Sequence, residues 1–389
     1  MKKIRAKHLI LGFSAPFVLY AILGGFLGRA LARDSAYRYL SVFQDVVTLI
    51  MNNYVTPPAM DQVMDGAIRG MMDALDTDSC YLSPDEFRAY RDPDSQPRAG
   101  IGVEVTKRYY LQIVGVRPGS PADEAGMVPG DLIKSIDGGN TRELNVIVGE
   151  SRLRGPAGSE VTLDVIRGRN PEPIEVKINR RDVVDSSVAF EMLEDGAGYI
   201  SIASFRAGTD VDVKRGIEIL KGQGATKLVL DIRNSFGRLA EDGARVAELF
   251  IPGGVAARLQ SRKGETTDVT LASDRVAFTG PVAVLINRGS SGSAEIVASA
   301  FRTADRGELV GVPTSGRAAV QKALSLGDGS GLVLSVGQYW TPDGKPLLGE
   351  GLEPTVEVSG GSAEDEEADD PMLQKALEIL TAETLKKAA

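Results

Sequence analysis

Val282-Ala283-Val284-Leu285-Ile286-Asn287-Arg288-Gly289-Ser290-Ser291-Gly292-Ser293-Ala294-Glu295-Ile296 is the stretch on which the fold turns. Its first five residues form a continuous apolar run rich in β-branched side chains, which predicts a strand buried on both faces. The run stops at a polar turn, and from Ser293 the pattern is helical, with Gly292 in the N-cap position and Glu295 in the first turn. Strand, tight turn and helix together set whatever sits at the turn beside unpaired backbone N–H groups. Hydrolases place a nucleophile there because those donors meet the developing oxyanion.

These residues resemble the C-terminal processing peptidases, tail-specific serine peptidases that pair a Ser nucleophile with a Lys base. The family text L-I-N-K-G-S-A-S-A-S-E-I aligns without a gap on Leu285–Ile296, and a later G-K-G-x-V-Q aligns on Gly316-Arg317-Ala318-Ala319-Val320-Gln321. The resemblance puts the nucleophile position on Gly292, the general base position on Arg317 and the supporting glutamine on Gln321. A third segment, Leu228-Val229-Leu230-Asp231-Ile232-Arg233-Asn234-Ser235-Phe236-Gly237-Arg238, is similar to the family strand ending in D-L-R-N-N-P-G-G. There the oxyanion turn keeps Gly237, while Arg238 stands where the second glycine is expected.

The chemical consequence is severe. A serine hydroxyl attacks only when a base takes its proton, and lysine can be that base only when burial leaves it neutral. Arginine stays protonated in proteins, and glycine has no nucleophile. Two readings follow. In the leading one the chain is a non-catalytic relative that binds protein tails as scaffold or regulator. In the alternative it is an active endopeptidase cutting near C-termini through a relocated serine, Ser293 being the candidate. The bland reading of Ser290, Ser291 and Ser293 is that they are turn and helix-start residues. The only histidine is His8, so the globular part has no Ser-His-Asp triad and no histidine-based zinc site. No cofactor and no metal are called for.

Composition sets the frame. The chain has 389 residues, 43% hydrophobic and 25% charged, with a formal net charge of −9. It is long enough for two or three domains with real cores. Without a cationic surplus, nucleic acid is not an expected partner. The single cysteine, Cys80, excludes an internal disulfide and reads as a small buried hydrophobe. Lys2, Lys3, Arg5 and Lys7 precede an almost uncharged run from Leu9 to Gly28. Such a start is a signal peptide or a membrane anchor, and its length favours the anchor. The body of the protein is then expected in the cell envelope, periplasmic or otherwise extracytoplasmic.

From Gly100 the text reads as a PDZ-like module. Gly100-Ile101-Gly102-Val103 resembles a carboxylate-binding loop leading into a strand, and Gly119-Ser120-Pro121-Ala122 through Gly130-Asp131-Leu132-Ile133 matches the family's G-S-P-A to G-D-x-I block. The implied ligand is a free C-terminal tail, with the strand edge pairing to the peptide backbone. Upstream, residues 34–90 read as helices: Leu40, Phe43, Val47 and Ile50 recur at helical spacing, as do Val63, Ala67, Met71 and Leu75, around a Pro57-Pro58 break. Leu75-Asp76-Thr77-Asp78-Ser79 resembles the family's L-D-P-H-S and reads as a solvated turn rather than a cation site. An acidic run, Glu364–Asp370, reads as a linker ahead of a short helix carrying Leu373, Leu377 and Leu380.

The expected architecture is α+β: a peptidase-type core, an inserted PDZ-like module and an N-terminal helical region. The expected boundaries are 1–32 for the leader or anchor, 33–96 helical, 97–182 PDZ-like, 183–359 core, and 360–389 linker and helix. Expected partners are protein C-terminal tails, the membrane through the leader, and a second copy of the chain through the N-terminal helices.

Overall fold

The computed structural model describes residues 37–92, 97–117, 119–168, 170–182, 187–193, 196–358 and 370–388. The expected leader or anchor and most of the acidic linker lie outside the described residues. Two compact units divide the chain, one up to Ile68 and one from Arg69 onward. In the first, a helix over 37–53 ends before Pro57-Pro58, and a second helix, Met60–Asp73, begins in this unit and ends in the other. Phe43, Val47 and Ile50 are half-buried, whereas Leu40 is exposed.

In the larger unit the architecture is α+β, as the sequence implies. Its centre is a six-stranded sheet ordered Val188–Met192, Ala197–Ile202, Lys227–Asp231, Val282–Ile286, Leu309–Gly311 and Val356–Glu357. The first pair is antiparallel and the rest are parallel. All five residues of Val282–Ile286 are buried, which is what an uninterrupted apolar run demands of a strand covered on both sides. Val282, Val284 and Ile286 face the cluster formed with helices Thr209–Gly222, Ala240–Ala247 and Ser293–Thr303. Ala283 and Leu285 face the opposite cluster, with Met372, Ala376 and Leu380 of the C-terminal helix Pro371–Ala388. Of the three leucines expected on that helix, Leu380 is buried in the cluster, and Leu373 and Leu377 pack against it partly buried.

A second sheet joins Cys80–Leu82, Gly331–Trp340, Gly254–Ser261 and Thr266–Leu271, with Ala319–Ser325 paired to Gly331–Trp340. This corrects the all-helical reading of 34–90. Cys80-Tyr81-Leu82 is a buried strand, paired antiparallel to Val333-Leu332-Gly331. Three residues are too few for periodicity to separate strand from helix. Cys80 is buried, and burial pushes its thiol up to about 12, which leaves it unreactive.

The PDZ-like module is a third sheet, ordered Val103–Lys107, Leu111–Val116, Leu132–Ile136, Glu160–Ile166 and Ile174–Asn179. Its edge strand Val103–Lys107 lies beside helix Val146–Leu153. Pro121 opens the helix Pro121–Glu124, and the Ser120 hydroxyl accepts from the Asp123 amide at 3.3 Å, the N-cap the sequence implies. Where the chain enters and leaves the module, Ala99–Gly100 and Arg181–Asp182 pair antiparallel and close it off as an insertion.

Candidate functional site

Polar groups, half-buried at Asn287 and Asn234 and buried at Ser290, hold the turn after Val282–Ile286. Asn287 Oδ1 accepts from the amides of Asn234 and Gly289, both at 2.9 Å, and its Nδ2 donates to Asn234 Oδ1 at 2.9 Å. The Ser290 hydroxyl donates to Ile232 O at 2.8 Å and accepts from Asn287 N at 3.0 Å. These bonds stitch the turn after Ile286 to the turn after Asp231. Beyond it, Ser291-Gly292 pairs in parallel with Phe236-Gly237.

Gly292 is the N-cap of helix Ser293–Thr303 and has φ 59° and ψ −112°. That backbone favours glycine, and a Cβ there would overlap the carbonyl oxygen of Gly237. Gly237 is equally confined, because its own Cβ would overlap Ser293 Oγ and the Phe205 side chain. The position expected for a nucleophile and the glycine expected for the oxyanion turn therefore face each other in contact. Ser293 is buried and its hydroxyl donates to Leu239 O at 2.6 Å. Ser291 Oγ is buried and has no hydrogen-bond partner among the described residues.

Glu295 ties the turn to the segment that carries Arg317. Its carboxylate, 0% exposed, accepts from Gly292 N at 3.0 Å, Thr314 Oγ1 at 2.7 Å, Gly316 N at 2.8 Å and Arg317 N at 2.9 Å. Burial pushes its pKa up, and these four donors oppose the shift.

The Arg317 side chain forms an ion pair with Asp78. Its Nε donates to Asp78 Oδ2 at 2.9 Å and a terminal nitrogen to Asp78 Oδ1, with side chains only 9% and 15% exposed. Burial works against the guanidinium, but Asp78, with Glu150 and Glu295 beyond it, outweighs burial and raises the Arg317 pKa above its ordinary value. The fork-to-carboxylate geometry is that of a strong charge-assisted pair. Arg317 also stands 5.3 Å from the centre of the Phe236 ring, with Arg238 at 5.8 Å from the same ring. Arg238 reaches Glu150 of the PDZ-like module at 3.3 Å. A continuous series, Asp78, Arg317, Phe236, Arg238, Glu150, thus occupies the place where the sequence expects catalytic chemistry.

The reading of Asp78 as a solvated turn residue is corrected here. Asp76 does the turn work, accepting from Asp78 N at 2.9 Å and Ser79 N at 2.6 Å, which leaves the Asp78 carboxylate to Arg317. Asp78 stands at the histidine of the L-D-P-H-S resemblance, so a paired change at two aligned positions was the available signal. Gln321 lies opposite Ser335 in strand Ala319–Ser325, and no hydrogen bond joins it to Arg317 among the described residues.

The expected peptide-binding loop is elsewhere on the module. Gly100, Ile101, Gly102 and Val103 line a groove of about 620 Å³ between the edge strand and helix Val146–Leu153. Gly102 has φ 84°, which lets the loop turn into the edge strand. The module's back packs closely on the core: a Cβ on Gly115 would overlap Asn234 O, and one on Gly289 would press on Val114 O.

A peptidase core with an inserted PDZ domain defines the class. Residues 196–358 match peptidase family S41, and residues 112–167 match the PDZ domain. The carboxyl-terminal-processing protease of Synechocystis sp. is 30% identical over 86% of this chain and 81% of its own length. The carboxy-terminal-processing protease of Bartonella bacilliformis is 29% identical over 88% and 82%. The solved photosystem II D1 C-terminal processing protease superposes with a TM-score of 0.67 and 26% identity, covering 79% of this chain and 85% of that one. The chain belongs to the carboxyl-terminal-processing proteases of family S41.

Proposed function

We propose that this member of the family does not cleave peptides, and that it binds protein C-terminal tails as a scaffold or regulator of the cell envelope. The observation that carries the proposal is the buried Arg317–Asp78 pair at the base position, facing a turn where Gly292 has no side chain. A guanidinium held by a carboxylate cannot accept a proton near neutral pH, so no neighbouring hydroxyl is activated. The relocated-serine alternative gains no support from Ser293, whose hydroxyl is committed to Leu239 O. Tail binding is supported by the groove beside an edge strand that has pairing capacity free on one side.

The envelope location rests on the sequence of the leader; no helix of the described residues is long and apolar enough to cross a membrane. Pairing of two chains through the N-terminal helices belongs to the same reading, supported by the exposed Tyr39, Val42, Val46 and Leu49. The test is treatment of the full chain with a serine-directed phosphonate, alongside incubation with peptides ending in free apolar residues. No adduct, no cleavage and saturable peptide binding are expected. A phosphonate adduct on Ser293 or Ser291 together with cleavage would replace this reading with the endopeptidase one.

A further inference from the structure

The groove that would hold a tail is lined by charges of both signs, and they are not equally available. Arg98, Arg117 and Arg154 line it with Glu104, Glu150 and Asp182. Glu104 is paired within the module, to Arg117 at 3.0 Å. Glu150 is paired outside it, to Arg238 of the peptidase core at 3.3 Å, across 88 residues of chain. Arg98 and Arg154 have no carboxylate within ion-pairing distance among the described residues, and Asp182 is the one acidic group of the lining left uncommitted. Glu150, Leu153 and Arg154 fall at spacings of three and four, so they share the face that helix Val146–Leu153 and its C-cap turn to the groove.

Rotating no side chain, the identity of residue 238 alone changes this balance. A glycine there, as the family text has it, would leave Glu150 as a free carboxylate on the groove wall. Arg238 stands 5.8 Å from the centre of the Phe236 ring, which Arg317 also approaches, at 5.3 Å. Burial pushes the Glu150 carboxyl up, and Arg238 is the foremost group opposing that shift.

We propose that Arg238 is a specificity-determining residue of the tail groove: by engaging Glu150 it leaves Arg98 and Arg154 to set the field, so that the groove selects C-terminal tails with acidic side chains beside the terminal residue over tails with basic ones. This inference rests on the tail-binding reading above. It assigns a ligand class, an acidic tail with a free carboxylate and an apolar last residue, and it makes a position of the peptidase turn part of the peptide-reading machinery. The reason is electrostatic: charges lining a groove discriminate between partners more than they add affinity.

The experiment measures binding of the full-length protein to two ten-residue peptides that share an apolar last residue. One carries two aspartates and the other two lysines at the preceding positions. The unmodified protein is expected to bind the acidic peptide about tenfold more tightly, and Arg238→Gln to reduce that ratio by about fivefold, the scale of one partly exposed charge pair. Glu150→Gln, which frees Arg238 instead, is expected to increase the ratio, and Arg238→Lys to keep it. Glu150→Gln serves as an independent arm should Arg238→Gln fold poorly. Equal binding of the two peptides by the unmodified protein, or a ratio that neither Arg238→Gln nor Glu150→Gln moves, overturns the assignment while leaving tail binding intact. Failure of the unmodified protein to bind any free-carboxylate peptide overturns tail binding itself, and this inference with it.

Discussion

The PDZ-like module and the turn at Gly292 have fared differently inside one chain. The module keeps its glycine turns, its Ser120 cap and its open edge strand, the parts through which a peptide would be recognised by backbone. The turn has its frame, Asn287, Ser290 and Glu295, while the positions that the proposed reading assigns to the reactive pair carry Gly292 and Arg317. Recognition through backbone depends on local geometry alone. Catalysis by a Ser/Lys pair depends on two side chains acting as a unit, and once either is lost the other is free to change. What cannot change freely is the supporting shell, because its buried polar groups satisfy the backbone of both turns.

The contrast breaks first at Glu295. Glu295→Ala would strand the buried Gly316 amide, the half-buried amides of Gly292 and Arg317 and the Thr314 hydroxyl, and is expected to lower stability by about 4 kcal/mol in urea unfolding. A loss below about 1 kcal/mol would show that the frame is not held in this way. Next in size is Asp78→Ala, expected to cost about 3 kcal/mol by leaving the Arg317 guanidinium buried and unpaired. The double change Asp78→Leu with Arg317→Met should return to within about 1 kcal/mol of the unmodified protein, since an apolar pair can replace a buried ionic one. Additive losses in that cycle would mean the two side chains are not coupled.

On the module, amidating the last residue of a bound tail is expected to weaken binding by about 1.4 kcal/mol, a tenfold rise in Kd, through loss of a charge-assisted contact to backbone donors. Equal affinities by titration calorimetry would remove the carboxylate from the recognition. The smallest expected effect is none. Gly292→Ser with Arg317→Lys should remain without turnover on peptide substrates, because the new Cβ meets Gly237 O and Asp78 would hold the lysine charged. Turnover by that double variant would show that the Gly237–Gly292 pairing yields readily, and that the site is closer to activity than the Asp78 pair implies.

Much of this was legible before any coordinates. The apolar run Val282–Ile286 fixes a strand covered on both faces, and Gly292 and Arg317 declare by residue type alone that neither a nucleophile nor a neutral base is supplied there. The glycines and Pro121 of the module set its turns. Cys80–Leu82 escaped, because so short a strand is specified by its partner at Val333–Gly331 and not by its own pattern.

Sequence alone determined which chemistry Gly292 and Arg317 exclude, since nucleophilicity and protonation limits belong to residue types. Only the tertiary structure decided what those positions do instead. Arg317 meets Asp78 across 239 residues and Arg238 meets Glu150 across 88, and no local pattern encodes contacts at such separations. The cost of burying the Arg317 guanidinium requires that it find a carboxylate, and Asp78 supplies it, whereas the half-exposed Arg238 meets Glu150 because the module packs against the core beside the Phe236 ring.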